Sequence, residues 1–102
     1  MANFNYNGEM VHLARSSYQD NDSLYVGLFC ENGEYYGDVT VNLPISSTLP
    51  SDCAFIDSNN MPDITKVLVG MGVAEPIHQA VRSGFCQYFA YRFNIGQIEK
   101  LA

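Results

Sequence analysis

Three cysteines, two histidines and one dense run of short polar side chains are the groups in this chain that could do chemistry. A cysteine nucleophile needs a base within hydrogen-bond reach and a third group that orients the base. Cys86, His78 and Asp57 are the trio on offer, with His12 as a second base. Thiols become reactive at helix N-termini or beside cations, and Cys86 instead falls in an alternating, strand-like stretch. Zinc sites need close ligand pairs such as C-x₂-C, whereas Cys30, Cys53 and Cys86 are widely separated. Neither a P-loop nor a G-x-G-x-x-G run occurs, and Gly70-Met71-Gly72 has the wrong continuation for one. The expectation is a non-enzymatic protein with no catalytic residue, metal or cofactor.

The polar run is Asp57-Ser58-Asn59-Asn60, inside the stretch from Cys53 to Asp63. It supports two readings. In the local one, Asx side chains bond nearby backbone and Asn60 caps a helix. In the functional one, Asp57, Asn59 and Asn60 join Arg82 and Ser83 in a ligand loop, with Arg82 serving an anionic group. Such a loop would bind a small ligand such as a signalling nucleotide at a dimer seam, so a homodimer is one expected state.

These residues must be carried by regular elements. Asn7-Gly8 marks a tight hairpin with Phe4 opposite Val11 and Tyr6 opposite Glu9. Phe4, Tyr6, Val11 and Leu13 then share one face, and Met10, His12 and Ala14 the other. Residues 15–22 lack an apolar period and read as loop. A second hairpin about Asn32-Gly33 pairs Cys30 with Tyr35, Leu28 with Gly37, Val26 with Val39 and Leu24 with Val41. That register is self-checking, because a one-residue slip would scatter the apolar side chains over both faces. Its other face carries Tyr25, Phe29, Tyr36 and Asp38, which are either covered or form a contact surface with aromatic anchors.

Pro44 begins a crossover loop, and residues 53–56 can add a short strand. A helix starting near Asn60 places Ile64, Val67, Leu68 and Met71 on one stripe and stops at Gly72. Residues 77–81 read as irregular or briefly helical, 85–93 as a last strand, and 94–102 as either a final helical turn or a frayed end. The expected fold is α+β, a single domain over 1–102. Its antiparallel sheet of four to five strands is built from Asn-Gly hairpins, with one helix packed on it.

Composition narrows the classes of function. Of 102 residues, 47% are hydrophobic and 16% charged, and eleven acids against five bases leave a net charge of −6. A disordered tail is excluded, and direct nucleic-acid binding is disfavoured for want of a Lys/Arg stripe. The acidic balance suits a basic partner surface. The first residues lack the basic and apolar regions of a signal peptide, and no apolar run is long enough for a membrane span. A cytoplasmic location with reduced thiols is expected.

Three stretches carry a family resemblance: Thr40-Val-Asn-Leu-Pro44, Phe55-Ile-Asp-Ser-Asn-Asn60 and Ser83-Gly-Phe-Cys-Gln-Tyr88. In that order they resemble a small bacterial family known as a domain of unknown function, seen in gut bacteria and their mobile elements. The chain departs from that pattern at Ser58, where Thr is expected, and at Phe89, where Pro is expected. The resemblance implies one α+β domain and a phage, plasmid or integrative-element setting, and it carries no activity. Together with the acidic charge, it points to an interaction protein that binds and blocks a host macromolecule. A basic nucleic-acid-binding enzyme fits, such as a defence nuclease of the CRISPR effector kind. Tyr25, Phe29, Tyr36 and Asp38 would make the contact face.

Overall fold

The computed structural model describes residues 3–100. The chain begins with β1 (Phe4–Tyr6), β2 (Glu9–Ser17), β3 (Leu24–Cys30) and β4 (Tyr35–Asp38), which form an antiparallel meander in that order. It continues with β5 (Thr40–Val41), a 3₁₀ turn (Pro44–Thr48), β6 (Cys53–Ile56), α1 (Ile64–Gly70), β7 (Ala74–Ser83), β8 (Cys86–Phe93) and α2 (Ile95–Lys100). These later strands make a second four-stranded sheet in the order β5-β6-β8-β7. The fold is α+β and mostly sheet. Two sheets and two helices stand where one sheet and one helix were expected.

Val39 causes the division. Its N–H donates to the Val26 carbonyl of the first sheet, and its carbonyl accepts from the Asp57 N–H at the end of β6. Beyond it the chain has changed sheets: Val41 pairs with Phe55, not with Leu24, and Thr40 with Ile56. Thr40 Oγ1 takes the Val26 N–H at 3.1 Å and also bonds the Tyr18 hydroxyl at 3.1 Å, so this buried corner leaves its polar groups satisfied.

The first hairpin pairs Phe4 with Val11 and Tyr6 with Glu9 around Asn7 (φ 52°) and Gly8 (φ 85°). Residues 15–17 extend β2 where loop was expected, and the loop begins at Tyr18. The second turn is one residue longer than expected. Cys30 faces Glu34, Gly33 alone takes positive φ (92°), and Asn32 Oδ1 receives the Glu34 N–H. Phe29 therefore faces Tyr35, and an extra residue at Tyr36 restores the Leu28–Gly37 pair. A lengthened turn followed by a bulge is a common hairpin device.

β7 runs where an irregular segment was expected. Its alternation is hidden by Pro76 and by a bulge around His78, whose φ is 58°. Both features suit an edge strand, since each discourages further pairing. α1 ends in a Schellman motif: Val73 N–H bonds the Leu68 carbonyl, Gly72 N–H the Val69 carbonyl, and Gly72 has φ 71°. Its N-cap position is Asp63 rather than Asn60, and no side chain caps it. α2 is capped by Asn94, whose Oδ1 accepts the Gln97 N–H at 3.1 Å. The last two residues of the expected tail helix lie outside the described residues.

The main core lies between the inner face of the first sheet and one face of the second. Val11, Leu13, Val26 and Leu28 meet Ala54, Ile56 and Phe93, with Ile64, Leu68 and Ile98 entering from the helices. Phe55 and Ala90, on the other face of the second sheet, are buried with Leu43 beside the 3₁₀ turn.

Candidate functional site

The outer face of the first sheet carries a half-buried aromatic stripe with Tyr35 exposed at its edge. Strand alternation that buries Val26 and Leu28 turns Tyr25, Gly27 and Phe29 outward. Phe29 lies between His12, stacked at 6.1 Å, and Tyr35, edge-on at 5.8 Å. Tyr18 meets the Tyr25 ring edge-on at 5.5 Å. Tyr25 lies across Gly27, where any Cβ would meet its hydroxyl, and donates to Asp38 Oδ1 at 2.8 Å. Burial, then the bond to Asp38, raises the Tyr25 hydroxyl well above the usual tyrosine range.

Of the four residues expected to make this face, Tyr25, Phe29 and Asp38 are there and Tyr36 is not. The bulge turns Tyr36 toward the core, against Tyr6 at 5.9 Å, and gives its place to Tyr35, which is 59% exposed. Tyr18 and His12 join the stripe as well. Alternation in the first hairpin had already set His12 on this outer face, whereas Tyr18, a loop residue, carries no periodicity that could have placed it there.

Charge is divided unevenly. Residues 1–41 hold six of the eleven acids and a single Lys/Arg, Arg15, while residues 42–102 hold five acids and four bases. Arg15 alternates with Val11 and Leu13 away from the stripe and pairs with Glu99 at 3.5 Å. The stripe thus has Asp38 beside it, Glu31 and Glu34 in the turn at one end, and Asp20 and Asp22 in the loop at the other.

Beside the stripe, at the seam between the sheets, lies a cleft of about 330 Å³. Its lining includes Tyr6, Tyr35, Tyr36, Asp38, Asp57 and Asn60. The Asp57 N–H to Val39 bond (2.8 Å) draws the end of β6 alongside β4, so that Asp38 and Asp57 line one cleft. Asn60 Nδ2 donates to Asp57 Oδ2 at 2.8 Å, while Asp57 Oδ1 is buried without a partner. Tyr6 is fixed by its hydroxyl bond to the Pro62 carbonyl at 2.8 Å. Neither Lys, Arg nor His lines the cleft.

The ligand loop read from sequence is split by this geometry. Asp57 and Asn60 line the cleft, but Asn59 is exposed outside it, and Arg82 and Ser83 sit near the β7–β8 turn with β8 intervening. Arg82 therefore brings no cation to the cleft. Asp38, assigned from sequence to the contact face, takes its place among the lining residues.

The cysteine trio is likewise not assembled. His78 occupies the bulge opposite Ala90, while Cys86 pairs with Ser83. The three positions from Phe89 to Cys86 alone span about 10 Å of strand. Cys53 is buried, and burial, then its bond to Asp52, pushes its thiol up. Among the described residues no cluster of three or more His, Cys, Asp or Glu could hold a metal ion, and no helix is long and apolar enough to cross a membrane.

Fold and site together define a small two-sheet α+β domain with an acidic-aromatic outer face and a carboxylate-lined seam cleft. Residues 12–102 match a family described as a domain of unknown function (DUF4313), and the chain belongs to that family. Neither the curated proteins nor the solved structures hold a significant match.

Proposed function

We propose that this domain is a non-enzymatic interaction protein of a mobile element, one that binds and blocks a basic host macromolecule through the outer face of its first sheet. The observation that carries the reading is the stripe of Tyr18, Tyr25, Phe29 and Tyr35, with acids beside it and at both ends. Aromatic side chains with a polar tip are favoured at interface cores, and like-signed charge around them steers a partner of opposite sign. A nucleic-acid-binding enzyme presents such a basic surface, and a defence nuclease of the CRISPR effector kind is the partner proposed. The mobile-element setting rests on the family resemblance of the three sequence stretches. Location in the cytoplasm, where such a partner works, belongs to the same proposal.

The test is binding and inhibition of the nucleases of the host, with salt varied. Capture at micromolar protein that weakens as ionic strength rises supports the reading. If no host nuclease is bound or inhibited at that concentration, it fails. The alternative of a signalling-nucleotide sponge finds less support, since the cleft has two carboxylates and no cation for a phosphate. A thermal-shift panel of nucleotides with a flat response would remove it.

A further inference from the structure

We infer that the seam cleft is a receptor for one guanidinium group, the head of an arginine side chain supplied by the docked partner. This deepens the proposed function and rests on it, because the cleft opens beside the stripe and shares Tyr35 and Asp38 with it. The chemistry of the lining selects the ligand. Asp38 and Asp57 both line the cleft and no Lys, Arg or His does, which selects for a cation. Asp57 Oδ1 is buried and unpaired, an arrangement that costs free energy until a donor reaches it. Of the tyrosines that line it, Tyr35 is the exposed one, and tyrosine rings attract cations and stack on planar ones. Arginine combines the plane, the charge and enough N–H donors to serve two carboxylates at once. At about 330 Å³ the cleft lies at the small end of ligand pockets, which fits a side-chain head rather than a dinucleotide.

The walls are held in place before any ligand arrives. The Tyr6 hydroxyl is tied to Pro62, Asn60 orients Asp57, and Tyr25 holds Asp38. Gly37 lies in the same wall, and a Cβ there would collide with Met61.

The experiment is an NMR titration of the full chain with ethylguanidinium, its neutral isostere ethylurea, and the tripeptide Gly-Arg-Gly. Saturable shifts at Tyr6, Gly37 and Asn60 are expected with ethylguanidinium and absent with ethylurea. Asp57→Asn is isosteric and should weaken that binding about tenfold, the loss of one charge-assisted hydrogen bond. Asp38→Asn on the opposite wall gives a second variant if Asp57→Asn does not fold. Tripeptide binding at least as tight assigns the cleft to a protein side chain; binding of ethylguanidinium alone assigns it to a free cation and overturns the partner assignment. No saturable shift with either cation, equal shifts with ethylurea, or binding unchanged in both variants overturns the cation site. Nuclease capture that survives in Asp57→Asn would leave the docking reading standing without the cleft. Cation binding with no nuclease captured would do the reverse.

Discussion

The two sheets have the same size and the same antiparallel pairing, yet they are finished differently. The second is buried around its centre on both faces, with Ile56 and Phe93 in the main core and Phe55 and Ala90 beside the 3₁₀ turn. The first is buried on one face and leaves the other to aromatic rings and acids. An antiparallel sheet can stand with one face in water, but that face is ordinarily polar. Here it carries half-buried tyrosines and a phenylalanine, with Tyr35 59% exposed. Under the proposed function the outer face of the first sheet serves recognition, while the buried centre of the second serves stability.

The sharpest way to break this contrast is to truncate one aromatic residue in each sheet. Phe55→Ala should cost about 3–5 kcal/mol, the usual range for emptying a fully buried phenylalanine site. Phe29→Ala, on the outer face, should cost about 1 kcal/mol through its lost edge and stacking partners. Urea unfolding of both variants gives the comparison, and equal losses would refute the division of labour.

Within the first sheet, neighbouring tyrosines divide the same way. Tyr35→Ala should weaken partner binding by about 2 kcal/mol, the scale of an interface anchor, with the midpoint of unfolding nearly unchanged. Tyr36→Ala should do its larger damage to stability, because Tyr36 packs on Tyr6 and the core. Isothermal titration and chemical denaturation on both variants separate the effects. The opposite assignment would mean that the bulge does not orient them as described.

A smaller effect tests the helix ends. Asn94→Ala should cost about 1 kcal/mol, since Asn94 Oδ1 caps α2. Asn60→Ala should cost a few tenths of that, since Asn60 caps nothing and its bond to Asp57 is exposed. Thermal unfolding of the pair decides between this account and the expectation that Asn60 begins the helix.

What could be read from sequence follows from the range of each signal. The Ile64–Leu68 stripe and the Gly72 stop are local patterns, and both elements lie where those patterns put them. The Leu28–Gly37 register was legible for the same reason. Tyr35 and Tyr36 were exchanged because a turn one residue longer is indifferent to apolar alternation until the bulge corrects it. The second sheet was hidden because the switch at Val39 depends on β6, a partner nearly twenty positions away, and strand pairing at a distance has no local signature. β7 was missed because Pro76, the His78 bulge and two exposed faces erase the period that marks a strand. Asp38 and Asp57 were each picked out by chemistry, but their shared cleft depends on one backbone bond across the seam. The resemblance supplied the family and no site.

A last effect is silent at neutral pH and appears only in alkali. Tyr25 and Tyr18 on the first sheet are raised above the ordinary tyrosine value of 10.0, in both cases chiefly by burial, with Asp38 bonding Tyr25 and Thr40 partly offsetting the rise at Tyr18. Ionising Tyr25 in place would set a phenolate against the Asp38 carboxylate that its hydroxyl now serves at 2.8 Å. The unfolded chain releases these protons at the ordinary value while the folded chain keeps them, so the folded state binds more protons above it. Stability is then full below pH about 10 and falls as pH rises further, by the linkage of proton binding to folding. Tyr25→Phe removes the titrating group and should flatten the decline above pH about 10, at the cost near pH 7 of one bond to an exposed carboxylate. Melting temperatures of the two proteins across that range check it. Parallel declines would show that the outer face of the first sheet is not where alkali acts, and that Tyr25 reaches water more freely than its place over Gly27 allows.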